Sequence, residues 1–241
     1  MSDLVRLHDH GAVVVVQLNR PAKLNALSTE LEQQVLDAIG SPAVTGASAV
    51  VVTGSERAFS AGADTGELPE MTPERIAAYY RGSGSLYDVV ARLPQPTLAA
   101  VSGYCLGAGF ELALACDLRV ADQTAVFGLP EVGLGIVPSS GGLTRLVRAV
   151  GPAVARELIL LGERIGADAA HERGLLTRLT PPGAALPAAL ELAQQLAAQP
   201  ALAVAWAKAA IDAAAESSAA TSLLVEQLAY AALNRSSTVG R

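Results

Sequence analysis

The sequence predicts an α/β fold in which helices cover a sheet. Two observations carry this: short β-branched runs alternate with amphipathic helical segments, and glycine-rich turns separate them. The expected strands are Val13–Leu18, Ala49–Thr53, Thr97–Val101 and 118–121. Between the first two, Leu31, Val35, Ala38 and Ile39 share one helical face, and Thr29 with Glu32 three residues on forms a candidate capping box. Between the next two, Thr72-Pro73 opens a helix and Pro94 with Pro96 closes it. From Gly141 onward Ala- and Leu-rich helices follow one another, broken at Gly151-Pro152, Gly162, Gly174, Pro181-Pro182-Gly183 and Pro200. No low-complexity linker divides the chain. The expected organisation is an α/β core over 1–190, with a helical region over 191–241 that packs on the core or on another subunit.

Composition narrows the function classes. With 51% hydrophobic and 17% charged residues among 241, the chain has enough apolar surface for a substantial core and is unlike a disordered segment. The net charge of −6 and the lack of a basic stripe argue against nucleic acid as a partner, and no basic amphipathic helix suggests a membrane surface. The apolar stretch 97–116 is long enough to span a bilayer, yet Gly103, Gly107 and Gly109 divide it and Glu111 sits inside it, so strand, turn and helix are expected. Cys105 and Cys116, with His8, His10 and His171 scattered, give neither a disulfide framework nor a metal-ligand spacing, so reduced thiols and no metal are expected. The start MSDLVRLHDHG lacks a positively charged head and a long apolar run, which makes the cytoplasm the expected location.

Three segments could carry chemistry. In Gly107-Ala108-Gly109-Phe110-Glu111, small residues open a helix that is apolar on nearly every side, so its first N–H groups are accessible to a ligand oxygen. Glu111 then lies in the first turn of a buried helix. It either complements the helix dipole or faces a cavity with a raised pKa suited to acid–base work. The turn Ala58-Phe59-Ser60-Ala61-Gly62-Ala63-Asp64 follows a strand and is either an ordinary loop or a second set of free N–H groups. Glu131, in Phe127-Gly128-Leu129-Pro130-Glu131, has no cation beside it in sequence and is either a solvated loop acid or a second working carboxylate.

Together these segments resemble the enoyl-CoA hydratase/isomerase (crotonase) superfamily over roughly residues 5 to 235. The matching signatures, in order, are Arg20-Pro21 with Asn25-Ala26-Leu27, the run Phe59 to Asp64, the run Gly103 to Glu111, Cys116-Asp117-Leu118-Arg119, and Phe127 to Glu131. The resemblance implies a crotonase-like spiral of repeated ββα units with a helical C-terminal extension. It implies an oxyanion hole formed by the backbone N–H groups of Ala63 and Ala108, with Glu111 activating water for addition at C3 and Glu131 exchanging the proton at C2. It also implies a coenzyme A groove lined by Ala22, Lys23 and Leu24 and by Ala61, Gly62, Ala63, Asp64, Thr65 and Gly66, completed by Gly107, Pro130 and Ser139.

The activity so implied is syn hydration of a trans-2-enoyl-CoA to a 3-hydroxyacyl-CoA, with coenzyme A part of the substrate, no separate cofactor, and a homotrimer or dimer of trimers as the assembly. Ala108 and Ser139 stand where many members of the family carry glycine. The chain ends at Arg241 without the Phe- and Lys/Arg-containing tail that commonly covers the acyl pocket, so a weaker grip on coenzyme A, or help from a neighbouring subunit, is expected. An isomerase, another enolate-forming acyl-CoA enzyme and a non-catalytic acyl-CoA-binding protein are the competing readings. A dinucleotide site is disfavoured because Leu112 occupies the third glycine position after Gly107-Ala108-Gly109, and no Gly-x-Ser-x-Gly elbow supports a serine hydrolase. His171 reads as part of an exposed helical turn.

Overall fold

The computed structural model describes residues 3–67 and 72–238. The chain opens with a hairpin of Val5–His10 (β1) and Val13–Leu18 (β2), then runs through helices Thr29–Ile39 (α1) and Pro42–Thr45 (α2). Next come Ala49–Thr53 (β3), Ala58–Ser60 (β4), Pro73–Arg81 (α3) and Leu86–Ala91 (α4). The centre is Thr97–Val101 (β5), Tyr104–Leu106 (β6), Ala108–Ala115 (α5), Leu118–Asp122 (β7) and Val126–Gly128 (β8). It is followed by Gly142–Leu160 (α6), interrupted at Gly151, then Arg164–Gly166 (β9), Ala167–Glu172 (α7) and Arg178–Thr180 (β10). Ala185–Ala197 (α8), Ala201–Glu216 (α9) and Ala219–Thr238 (α10) complete the chain.

The described strands form two sheets, ordered β1-β2-β3-β5-β7-β10 and β4-β6-β8-β9. In three successive units, β3–β4, β5–β6 and β7–β8, a longer strand joins the larger sheet and a short one joins the smaller, and the pairing within each series is parallel. This is the spiral of strand, strand and helix that the resemblance implies. The corners between the paired strands stack on one another: Phe59 N–H donates to the Ser102 carbonyl at 2.9 Å, and Val126 N–H to that of Gly103 at 2.9 Å. Gly103 turns such a corner at φ +61°, and a Cβ there would lie 2.1 Å from the Arg57 carbonyl oxygen. Only glycine meets both demands.

The larger sheet is covered on both faces, which is why its strands read as continuous apolar runs rather than alternating ones. On one face Val14, Val16, Val50 and Val52 pack in a core with Leu31, Phe110 and Phe127. On the other, Val13, Val15, Val51 and Leu98 meet Ala189 and Ala193 of α8, a helix that runs across residue 190. Farther along, Lys208 of α9 is tied to the core by a 2.9 Å ion pair with Asp117, whose carboxylate also accepts from the Thr97 N–H at 2.7 Å. Arg119 donates to the carbonyls of Cys116 at 2.9 Å and Leu175 at 2.7 Å. It therefore sits at the negative end of α5, where a cation is favoured. The conspicuous pair Asp117 and Arg119 is thus structural. Cys105 and Cys116 are buried free thiols whose pKa values are pushed up by burial.

Several local expectations change. The N-cap of α1 is Ser28, whose Oγ accepts from Leu31 N–H at 3.2 Å, not Thr29. Glu32 cannot close a capping box because its side chain turns into the interior; the Thr29 N–H is met instead by Glu67 Oε2 at 3.0 Å. The single helix expected between Thr72 and Pro94 starts as predicted, with Thr72 Oγ1 capping Arg75 N–H, but Gly82 ends α3 and a separate α4 follows. A Cβ on Gly84 would lie 2.5 Å from the Tyr79 ring, so the break lets the chain fold tightly over that side chain. The stretch 97–116 divides into β5, β6 and α5, and among the described residues no helix is long and apolar enough to cross a membrane. His171 lies exposed near the end of α7.

The corner at residue 103 offers a direct test of the spiral. Gly103→Ala is expected to destabilise the protein by more than about 2 kcal/mol, since it combines strained φ with an overlap against fixed backbone. Urea unfolding measures this, and an unchanged midpoint would show that the corner can relax.

Candidate active site

The site begins where β4 ends. After Ser60 the chain turns at Gly62, φ +109°, and runs beside Leu27: Leu27 N–H donates to the Gly62 carbonyl and Asp64 N–H to the Leu27 carbonyl, both at 2.8 Å. In such a parallel bridge the intervening residue, Ala63, directs its own N–H away from the partner strand. Asn25 fixes this loop from below. Fully buried in a left-handed conformation, it receives the Arg20 N–H on Oδ1 at 2.8 Å and donates to the carbonyls of Ala58 at 2.9 Å and Phe59 at 3.2 Å. Arg20 adds a 2.6 Å ion pair to Asp64, and this contact, with the Gly66 N–H, holds the Asp64 carboxyl below its usual range.

The second N–H group comes from the start of α5. Ala108 is the first helical residue, so its N–H has no acceptor within the helix. Among the described residues, no backbone bond outside regular helices and strands uses the N–H of either Ala63 or Ala108. The two segments approach with no side chain between them: a Cβ on Gly62 would lie 3.7 Å from Gly107 Cα, and one on Gly109 would lie 2.5 Å from the Ser60 carbonyl oxygen.

Glu111, only 3% exposed, lies one turn into this buried helix. Its Oε1 accepts from Ser140 N–H at 2.8 Å and Gly142 N–H at 2.9 Å, at the start of α6. Burial raises the pKa of Glu111, and the Gly142 and Ser140 N–H groups, with the Arg145 charge, act against that rise. A Cβ on Gly142 would lie 2.6 Å from Glu111 Cγ, so the helix start reaches the carboxylate only because residue 142 has no side chain. Arg145 also steadies the loop through 2.8 Å to the Ser140 carbonyl and 2.9 Å to Asp88.

Glu131 opens a 3-10 turn over Glu131–Leu134 and is buried, not a solvated loop acid. Burial pushes its pKa to about 7, its own backbone N–H works against that shift, and the nearby Glu111 charge adds to it. Among the described residues Oε2 is buried without a hydrogen-bond partner, and a Cβ on Gly107 would lie 3.0 Å from Oε1. Two carboxyl groups of unequal support therefore flank the start of α5.

A cavity of about 190 Å³ joins these parts. Its walls include Ala63, Ala108, Glu111 and Glu131, the residues that the resemblance implies for the reacting centre. Of the expected groove residues, Ala61, Gly62, Asp64 and Thr65 line it, as do Gly107, Pro130 and Ser139. Ala22, Lys23, Leu24 and Gly66 stand outside its walls. Ala22 and Lys23 are exposed on a 3-10 turn, Leu24 supports Ala61 by accepting its N–H at 3.0 Å, and Gly66 N–H donates to Asp64 at 3.0 Å. Ser139 Oγ is hydrogen-bonded to the Tyr80 hydroxyl, which links α3 to the loop beside Glu111. Among the described residues, no three His, Cys, Asp or Glu side chains gather as a metal ion would require.

Sequence reasoning missed Tyr79, Tyr80, Gly142 and the inward turn of Glu32, all of which touch the cavity or its carboxylates. For Glu32 a signal existed: with Val35 and Ile39 it occupies positions i, i+3 and i+7, the buried face of α1.

With the geometry in place, the similarities can be set beside it. The family model described as enoyl-CoA hydratase/isomerase matches residues 8–239. A 2,3-dehydroadipyl-CoA hydratase of Escherichia coli K12 is 42% identical over 183 residues, 75% of this chain and 70% of that protein. The crystal structure of an enoyl-CoA hydratase from Bacillus anthracis superposes with a TM-score of 0.88 at 35% identity, covering 94% of this chain and 89% of the other. A putative enoyl-CoA hydratase from Thermobifida fusca YX, solved in complex with CoA, gives 0.89 at 29% identity over 98% and 95% of the two chains.

The buried acids make stability depend on pH in a definite direction. Glu131 and Glu32 hold protons up to about pH 7 in the folded protein, against an ordinary value of 4.5, so between these values the folded state binds more protons than the unfolded one. Stability therefore falls as pH rises from about 4.5 through 7. Glu131→Gln removes one contributor, and its urea midpoints between pH 5 and pH 8 are expected to fall less steeply than those of the wild type. Parallel curves would contradict the assignment.

Proposed function

Because the chain belongs to the enoyl-CoA hydratase/isomerase family, we propose that it hydrates a trans-2-enoyl-CoA to a 3-hydroxyacyl-CoA. The observation that carries this reading is the meeting of two free N–H groups and two buried carboxyls on one cavity. In the proposed reaction, the thioester oxygen lies against the N–H groups of Ala63 and Ala108. Water attacks C3 as Glu111 takes its proton, the C2–C3 π electrons move towards the thioester oxygen, and the enolate collapses as C2 takes a proton from Glu131. The proton left on Glu111 returns to Glu131 or to solvent after the product departs.

The division of labour follows from the surroundings of the two acids. Glu111 has two N–H donors at a helix start and a nearby arginine supporting its charged form, which suits a base. Glu131 has an unpartnered oxygen and a pKa near 7, which suits a group that carries a proton near neutrality and gives it up. Negative charge developing on the thioester oxygen meets N–H groups already in position, and removing one such donor typically costs about a hundred- to a thousandfold in rate.

An acyl-CoA thioester is thus the proposed partner, with coenzyme A part of the substrate, no separate cofactor and a cytoplasmic setting. A homotrimer or dimer of trimers belongs to the same proposal. Exposed Ile211 on α9 and Leu223, Leu224 and Leu228 on α10 supply apolar surface for such an assembly.

Loss of the enoyl-thioester absorbance across a chain-length series tests the activity; acyl-CoA binding without turnover would favour a binding protein. Glu111→Gln and Glu131→Gln are each expected to lower turnover by about a hundredfold or more while the fold persists. An unchanged rate in either variant removes that residue from the mechanism. Light scattering is expected to report a multiple of three chains, and a monomer would contradict the proposed assembly.

A further inference from the structure

A third buried carboxyl group lies in the wall of the same cavity, on an element that supplies none of the parts used above. Glu32 of α1 is 2% exposed and lines the cavity together with Tyr79 and Tyr80. Its Oε1 accepts two phenolic hydrogen bonds, from Tyr79 at 2.9 Å and Tyr87 at 2.7 Å. Its Oε2 is buried and, among the described residues, has no partner at hydrogen-bond geometry, although the Ser83 hydroxyl also supports the charged form of Glu32. Leu31 and Val35 beside it on α1 are fully buried in the apolar core, where an unsatisfied carboxylate oxygen is costly.

We propose that Glu32, presented by Tyr79 and Tyr87, is a specificity-determining subsite for an acyl chain that bears a hydroxyl group. This rests on the enoyl-CoA reading of the cavity and adds to it the class of acyl group. Tyr79 and Tyr87 each direct a hydroxyl proton to Oε1, so the group that remains to be satisfied is Oε2. A hydroxyl matches it in either state of Glu32, donating to the carboxylate or accepting from the carboxylic acid. An alkyl end matches it in neither state, and a carboxylate end would meet like charge whenever Glu32 is ionised. Leu27, Leu134, Ile136 and Val137 contribute apolar wall to the same cavity, against which the alkyl part of an acyl chain can pack while its hydroxyl end reaches Glu32.

The test compares kcat/KM for trans-2-enoyl-CoAs matched in chain length, one ending in a methyl and one in a hydroxyl, across a series of lengths. At the best length the hydroxyl substrate is expected to be preferred by about tenfold or more, the range for a hydrogen bond to a charged group. Glu32→Leu is expected to abolish the preference mainly through KM, and Glu32→Gln, which keeps a polar terminus, to retain part of it. Equal rates for both substrates at every length in the wild type, or a preference that survives in Glu32→Leu, would overturn the subsite. The wild-type comparison needs no variant, so it stands even if Glu32→Leu does not fold. If neither substrate turns over, the hydration reading fails by itself, and calorimetric titration with the same two thioesters decides the subsite. Tighter binding of the hydroxyl thioester supports it, and equal affinity overturns it.

Discussion

The contact on which this molecule's site depends is one made without side chains, between the loop after β4 and the N-terminus of α5. Gly62 faces Gly107, and Gly109 lies directly on Ser60. Any Cβ at residue 109 would overlap fixed backbone, and protein interiors yield little to such overlap. The consequence is positional. With the two backbones this close, the N–H groups of Ala63 and Ala108 open on one cavity, Glu111 follows one turn later, and Glu131 packs against the bare face of Gly107. Asn25 acts at the base of the same contact by joining the 20s loop to the end of β4.

Around that contact the protein keeps three carboxyl groups away from water, and their partners differ. Among the described residues, Glu111 has two backbone donors and a helix start, Glu131 has one buried oxygen without a partner, and Glu32 has two phenols on one oxygen and no partner at hydrogen-bond geometry on the other. Burial raises all three pKa values, and the charged form is best supported at Glu111. A site made only for stability would use apolar side chains here, since buried acids without full pairing destabilise the folded state. The inequality among the three is therefore informative about chemistry. It separates a group suited to accepting a proton from one suited to donating it, and leaves a third whose unmet oxygen faces neither role.

The sequence made much of this legible, but unevenly. Four of the five longer strands were readable because β-branched runs such as Val13–Leu18 have no competing helical pattern, whereas β1, with His8, Asp9 and His10 in its second half, was missed, and β4, β6, β8, β9 and β10 have three residues each and no period to detect. Glu111 stood out as an acid in an apolar helix, and Glu131 only through the resemblance that joined separate motifs. Glu32 was misread: the spacing from Thr29 suited a cap, while its place on the face of Val35 and Ile39 was the decisive feature. Local hydrogen-bonding patterns and tertiary burial competed for that residue, and burial against Tyr79 and Tyr87 prevailed.

What the sequence by itself determined was the α/β alternation, the glycine-rich turns, and the position of Glu111 as an acid in an apolar helix, because each is expressed within a few consecutive residues. The tertiary structure alone decided which distant groups meet. Gly142 reaches Glu111 across 31 positions of sequence, and Tyr87 reaches Glu32 across 55. Contacts of that kind depend on how the spiral stacks its units, so whether a carboxyl is paired, half-paired or left open to the cavity is settled by packing and not by any local pattern.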